Sequence, residues 1–300
     1  MILPRCADTA RERKDPLLGT APMTHRWLLI EHPGPWRPEA LPGAGFPETL
    51  LDELWSAASA AGGRILLIRR PGRPSGREAG RSWAVVVGGR GSVWGRWQQP
   101  DDLRAATVAL RHHRNRPGPA LEPEPIILVC THGVHDTCCA VRGRPVAATL
   151  ERRWPEATWE CSHVGGDRFA PNVLVLPDGV YYGNLDPAAA LQTVETHLAG
   201  RLVVEYLRGI ARHPPVAQAA VGTAHARWGP FGVDEVVVTG IAQRAADRWD
   251  IDLRVPGQPG ARLTVRTRAR PSARLTCRAA QATSAVDYAV TEIRALNGLS

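Results

Sequence analysis

The stretch VCTHGVHDTCCAVRG, residues 129–143, carries three of the chain's six cysteines within ten positions, together with His132 and His135. A second stretch, WECSHVGGDRFAPN (159–172), adds Cys161, His163 and Asp167. Thiolates and imidazoles are the donors that zinc and iron–sulfur clusters use. A cysteine near a helix start can also become a reactive thiolate, and a free cysteine is often only a small buried apolar group. Metal binding, thiol chemistry and core packing are therefore three competing readings of the same residues.

Spacing separates them in part. Thioredoxin-type redox chemistry uses a C-x-x-C pair, which is absent, and a vicinal Cys138–Cys139 disulfide would need a strained peptide. Cys138 and Cys139 point apart at a loop-to-helix junction, so one member of the pair serves a metal and the other is structural. Cys161 and His163 share one face of an extended segment, because side chains two apart align, which keeps Cys161 in play as a ligand. Cys277, in a strand pattern far from the rest, reads as core, and so does Cys6. His132 and His135 read as hydrogen-bonding scaffold of their loop, Asp136 as a turn or helix cap, and Arg168 and Asn172 as braces of the second loop.

The elements that must position these groups follow from periodicity. Apolar runs predict strands at 26–36, 64–71, 82–89 and 92–98, with a helix in FPETLLDELWSAASAAG and another in DDLRAATVALRHH, whose acids occupy the first turn. The Pro- and charge-rich RNRPGPALEPEP (114–125) predicts a linker. Beyond it come a buried strand PIILVC, a helix in 138–154 whose firm start Gly143 and Pro145 place late, and a strand TWEC. A hairpin with its turn at Pro177–Gly179 and a helix capped by Asp186 follow. That β-α-β-β-β-α order predicts a thioredoxin-like α/β domain over 121–205. It is flanked by an N-terminal α/β segment (1–120) that packs with it. A smaller α+β region (206–300) begins with helical material over 202–228 and continues as antiparallel strands in DEVVVTGIAQRAADRWDIDLRV and ARLTVRTRARPSARLTCRA.

Composition bounds the function. With 300 residues, 44% of them hydrophobic, the chain has ample material for a core, and no apolar run approaches the roughly 20 residues of a membrane helix. The first twenty residues contain no continuous apolar segment of the secretory type, so a cytoplasmic protein is expected, where clustered cysteines serve chemistry rather than disulfides. The net charge of +8 comes almost entirely from arginine; Lys14 is the single lysine. The densest basic clusters, 111–116 and 266–274, lack interleaved aromatics and match no nucleic-acid module. They predict a solvated basic surface, suited to an acidic redox partner rather than to nucleic acid.

CTHGVHDTCCAVRGRP and WECSHVGGDRFAPNVLVLPDGVYYG, with the opening CADTARERKDPLLGTAPMTHRWLLIEHPGPW, resemble the sucrase/ferredoxin-like family, relatives of the thioredoxin-like 2Fe–2S ferredoxins. The resemblance spans most of residues 5–200. It implies a ferredoxin-type domain whose role is electron transfer rather than catalysis. It gives no support for sucrose hydrolysis, which needs two opposed carboxylates that nothing in the chain marks. It implies cluster ligation by two cysteines and two histidines. The cysteines carry over to Cys130 and Cys139, eight residues between them, and the first histidine to His163. The H-x-x-x-H pattern then ends at Asp167, where the family has histidine. Asp167 is the expected fourth ligand, with Cys161 or Cys138 as alternates. Loss of the cluster in favour of zinc or a thiol function is the other reading. An imidazole replacing a thiolate would raise the potential and couple reduction to protonation.

Overall fold

A computed structural model describes residues 4–72, 80–112 and 124–296 of the chain. The expected linker at 114–125 lies outside the described residues, apart from its last two positions. Helix α1 (Cys6–Glu12) precedes strand β1 (Arg26–Glu31), helix α2 (Glu48–Ala60) and strands β2 (Gly63–Arg69), β3 (Arg81–Val87) and β4 (Gly91–Trp97). A short 3-10 turn then leads into helix α3 (Arg104–His112). Asp102 caps that turn, its Oδ2 accepting from the backbone N–H groups of Gln98 and Gln99 at 2.8 and 2.9 Å.

Strand β5 (Ile126–Cys130) leads to helix α4 (Thr137–Arg153), strand β6 (Thr158–Cys161), the hairpin β7 (Val173–Leu176) and β8 (Val180–Tyr182), and helix α5 (Pro187–Leu198). Asp186 caps α5 as expected, accepting from the Ala189 N–H at 2.8 Å. The order β6-β5-β7-β8, with β5 and β6 parallel and β7 antiparallel to β5, is that of a thioredoxin-like unit. Every residue of β5 is buried, as a continuous apolar run between two covered faces requires.

Helix α4 starts earlier than expected. Asp136 Oδ1 accepts the Cys138 N–H at 2.8 Å and opens the helix at Thr137, with Pro145 accommodated inside it. Residues 202–228 are also not uniformly helical. A four-residue strand, β9 (Leu207–Ile210), pairs antiparallel with β8, and helix α6 begins only at Pro215, running to Trp228. Arg208 and Gly209 erase the apolar signature of β9.

The result is one sheet of nine strands, β4-β3-β1-β2-β6-β5-β7-β8-β9. Alternate residues of β5 face opposite sides. Ile127 and Val129 join the core beneath α4, α5 and α6, while Leu128 and Cys130 join the opposite core with Trp27, Leu66, Cys138, Cys139 and Cys161. The C-terminal part is a four-stranded antiparallel sheet of β10 (Val237–Ala245), β11 (Arg248–Arg254), β12 (Ala261–Ala269) and β13 (Val286–Ala295), with α6 packed on it. The fold is thus α/β with a smaller C-terminal α+β part. The alternation read across 261–279 ends as a strand at Ala269, and residues 270–285 form an irregular connection that carries Cys277. Among the described residues no helix is long and apolar enough to cross a membrane.

Candidate metal centre

Parallel pairing aligns Cys130 with Cys161 across β5 and β6, so the loops leaving both strands emerge at the same sheet edge. The two loops are tied at their roots. Thr131 N–H donates to the Cys161 carbonyl at 3.2 Å, and Cys130 N–H donates to the Asn172 carbonyl at 3.0 Å. Helix α4 comes close to the end of β5 because position 143 is glycine; a methyl group there would collide with the Cys130 carbonyl oxygen. That approach sets Cys139 beside Cys130.

The second loop is shaped by Gly166, at φ +79°, a left-handed conformation that favours glycine. Beneath it lies Arg208, fully buried in β9. Its guanidinium donates to the Gly165 carbonyl and Asn172 Oδ1, both at 2.8 Å, and to the Thr20 hydroxyl at 3.1 Å. Asn172 in turn donates to the Gly166 carbonyl at 2.9 Å. Asn172 therefore braces the loop as expected, whereas Arg168 lies 3.5 Å from Asp15 and over the Phe169 ring. Arg208, which sequence reasoning did not single out, is the loop's main internal clamp. Burial lowers its pKa to about 10, only partly offset by Tyr181 and Asp167.

Within this frame the donor atoms of Cys130, Cys139 and His163 lie within 4.8 Å of one another. The same holds for His135, His163 and Asp167, so His163 belongs to both groups. Cys139 Sγ is 3.3 Å from Asp167 Oδ1, and His163 Nδ1 is 2.9 Å from that oxygen. The His163 contact is a close, ion-pair-type approach of ring nitrogen and carboxylate oxygen. The His135 ring stacks on His163 with centroids 3.8 Å apart and brings Nε2 to 3.7 Å from Asp167 Oδ2. His135 Nδ1 stands 3.2 Å from the Pro38 carbonyl. If Nδ1–H donates there, Nε2 keeps its lone pair for the site, the second-sphere arrangement that orients metal-binding imidazoles. His132 behaves as the scaffold it was expected to be. Its Nε2 is 2.8 Å from the Arg37 carbonyl and its Nδ1 accepts from the His163 N–H at 3.3 Å.

The electrostatics favour a charged site. Polar contacts with Cys139 and His163 hold Cys130 well below its ordinary thiol value despite full burial. Cys139 is correspondingly pushed up, by its contact with Cys130 and by burial. Burial works against an imidazolium at His163, but Asp167 and Cys130 outweigh it and raise His163 to about 9. Burial likewise opposes the Asp167 carboxylate, yet His163 and Cys139 keep its pKa below the ordinary value.

The other expected positions fall elsewhere. Cys161 is fully buried behind Cys130 and belongs to neither donor group; burial raises its pKa. Cys138 turns away from Cys139, towards Cys6 and Cys277. His135 is the member of the site that its loop position did not reveal, since only the folded loop lays its ring on His163.

A family model described as sucrase/ferredoxin-like matches residues 17–209. Among solved structures the chain is similar to a cysteine-to-serine variant of the thioredoxin-like 2Fe–2S ferredoxin from Aquifex aeolicus. Identity is 24% and the TM-score 0.25, over 28% of this chain and 97% of that one. No curated protein matches the chain.

Proposed function

The chain belongs to the sucrase/ferredoxin-like family, and we propose that its centre at the β5–β6 edge holds a 2Fe–2S cluster for one-electron transfer. The observation that carries this reading is the convergence of the Cys130 and Cys139 sulfurs and a His163 ring nitrogen within 4.8 Å of one another, with Asp167 Oδ1 2.9 Å from His163 Nδ1. Such a donor set suits an asymmetric two-iron cluster, with thiolates on one iron and nitrogen or oxygen donors on the other. Cys130 and Cys139 would hold the first iron, and His163 through Nδ1 with Asp167 the second. When bound, the cluster accepts and releases single electrons, at a potential raised by the imidazole ligand.

The chain's own residues do the rest. His132 fixes the His163 backbone, Gly143 lets Cys139 reach Cys130, and Arg208 with Asn172 holds the loop that carries His163 and Asp167. The His163 side chain is 25% exposed, so protons can reach its ring from solvent when the charge of the centre changes. Six unpaired cysteines suit a reducing cytoplasm. The net charge of +8 favours an acidic redox partner.

A single zinc ion is the second reading, favoured by one observation: Cys130, Cys139 and His163 already lie close enough for one tetrahedral ion, with Asp167 completing the set. Anaerobic reconstitution separates the two. Iron and acid-labile sulfide in equal amounts, visible charge-transfer absorption and an EPR signal on reduction are expected, all lost in Cys130→Ser. A colourless protein that takes up zinc but no iron would reject the cluster.

A further inference from the structure

Cys138 turns away from the centre just described and enters a second, separate group of donors. Cys6 from α1, Asp136 and Cys138 from the start of α4, and Cys277 from the 270–285 connection place their ligand atoms within 4.8 Å of one another. The three sulfurs form a near-equilateral triangle: Cys6–Cys138 3.7 Å, Cys138–Cys277 3.4 Å and Cys277–Cys6 3.5 Å. The Asp136 oxygens lie 3.6 and 3.7 Å from Cys6 Sγ. A tetrahedral ion with metal–sulfur bonds of about 2.3 Å sets its sulfurs about 3.8 Å apart. The triangle is therefore close to the size one zinc ion imposes, and far wider than the roughly 2.05 Å of a disulfide. Each iron of a two-iron cluster takes two protein ligands, whereas this tight triangle gathers three sulfurs about one point.

The surroundings suit an ion. Both Asp136 oxygens are already oriented, one accepting from Cys138 N–H at 2.8 Å and the other from Cys277 N–H at 2.6 Å. Cys6 N–H points to Cys277 Sγ at 3.5 Å, as an outer contact that steadies a thiolate. Cys6, Asp136 and Cys138 are buried, while Cys277 is partly exposed and leaves a way in. Arg11 and Arg168 stand near enough to offset negative charge on Cys138 and Cys6.

We propose that Cys6, Asp136, Cys138 and Cys277 form a second, mononuclear site for a zinc-class divalent cation. The ion would bind three segments that are remote in sequence: the N-terminal helix, the first turn of α4 and the C-terminal connection. The site shares no residue with the β5–β6 centre and does not depend on what that centre holds. A closed set of four protein ligands marks it as structural rather than catalytic.

Metal analysis of the full chain, purified under reducing conditions and then dialysed against zinc, tests this. One equivalent of zinc is expected that disappears in Cys277→Ser and in Cys6→Ser, while iron uptake in those variants equals that of the wild type. Conversely, Cys130→Ser should keep that zinc. Cobalt substitution of Cys130→Ser should give the visible bands of tetrahedral thiolate-bound cobalt, and adding Cys277→Ser should abolish them. Cys277 sits in a connection rather than in the core, so circular dichroism can verify that its variant is folded. Equal zinc in wild type, Cys6→Ser and Cys277→Ser would overturn the proposal. So would a reduced wild type that binds none, or a mass showing a Cys138–Cys277 or Cys6–Cys277 disulfide that reductant fails to convert to a zinc-binding form.

Discussion

At the scale of single residues, Asp167 and His135 are the two candidates for the fourth ligand of the proposed cluster. Asp167 is buried and within 3.3 Å of Cys139; His135 has a third of its side chain exposed and reaches the site through its stack on His163. A carboxylate is a hard donor and suits ferric iron better than the reduced cluster, whereas imidazole tolerates both. Burial and proximity give the position to Asp167. Asp167→Ala should therefore lose most of the iron on reconstitution, while His135→Ala keeps it. Nitrogen hyperfine coupling in the reduced protein should report one imidazole. Two coupled imidazoles, with the iron losses reversed, would transfer the position to His135. The cysteine pair and His163 were legible in the sequence because each sits in a short, distinctive motif. Cys6 and Cys277 were read as core, because they are separated by 271 positions and nothing local announces that the fold joins them.

At the scale of elements, the site depends on how closely α4 meets β5. Gly143→Ala places a methyl against the Cys130 carbonyl, and backbone cannot yield as a flexible side chain can. Overpacking of this kind costs about 1–3 kcal/mol. The variant should show a lower denaturant midpoint and a reduced iron content together; unchanged iron would mean that helix position does not set the Cys130–Cys139 pair. Sequence periodicity placed α4 but put its start too late, since Pro145 is a strong helix breaker in isolation and Asp136 a quiet cap. Strand β9 was hidden for a related reason: its buried arginine serves a loop 40 residues away rather than its own strand.

Helix α6 gives the pH prediction. His225 is buried there, edge-on to Phe231 at 5.8 Å, with neither ring nitrogen hydrogen-bonded. Burial lowers its pKa from 6.5 to about 4. Between those values the unfolded chain binds the extra proton and the folded one does not, so stability present above pH 6.5 is lost as pH falls towards 4. The loss at pH 5 should be about 1–2 kcal/mol for this residue. Denaturation curves at pH 7 and 5 check it. A His225→Leu variant should show a smaller drop than wild type, and an identical drop in both would dismiss the assignment.

At the scale of the whole molecule, the nine-stranded sheet is narrowest where β2 meets β6. Only Ile68↔Cys161 and Arg69↔Glu160 pair there, so side chains must supplement the backbone. Arg69 reaches Glu160 through both Nε and a terminal nitrogen, at 2.7 and 2.6 Å, and its guanidinium lies 4.4 Å from the centroid of the Trp36 ring. Arg70 covers Trp159 at 3.6 Å and donates to the Pro155 and Glu156 carbonyls. The Arg69–Glu160 pair is largely shielded from water, and removing one partner of such a pair typically costs about 3–5 kcal/mol, because the other charge is left stranded. Glu160 lies one residue before Cys161, so the junction that joins the two halves of the sheet also fixes the strand that leads into the His163 loop. Glu160→Ala should lower the melting temperature by roughly 6–20 °C, at about 2–4 °C for each kcal/mol in a domain of 150–250 residues. It should also split the calorimetric transition, because the strands on either side of the seam would then unfold separately. Arg69→Ala should cost at least as much, since it strands the more deeply buried Glu160 carboxylate. A single sharp transition at the wild-type temperature in both variants would show that the paired backbone alone carries the seam.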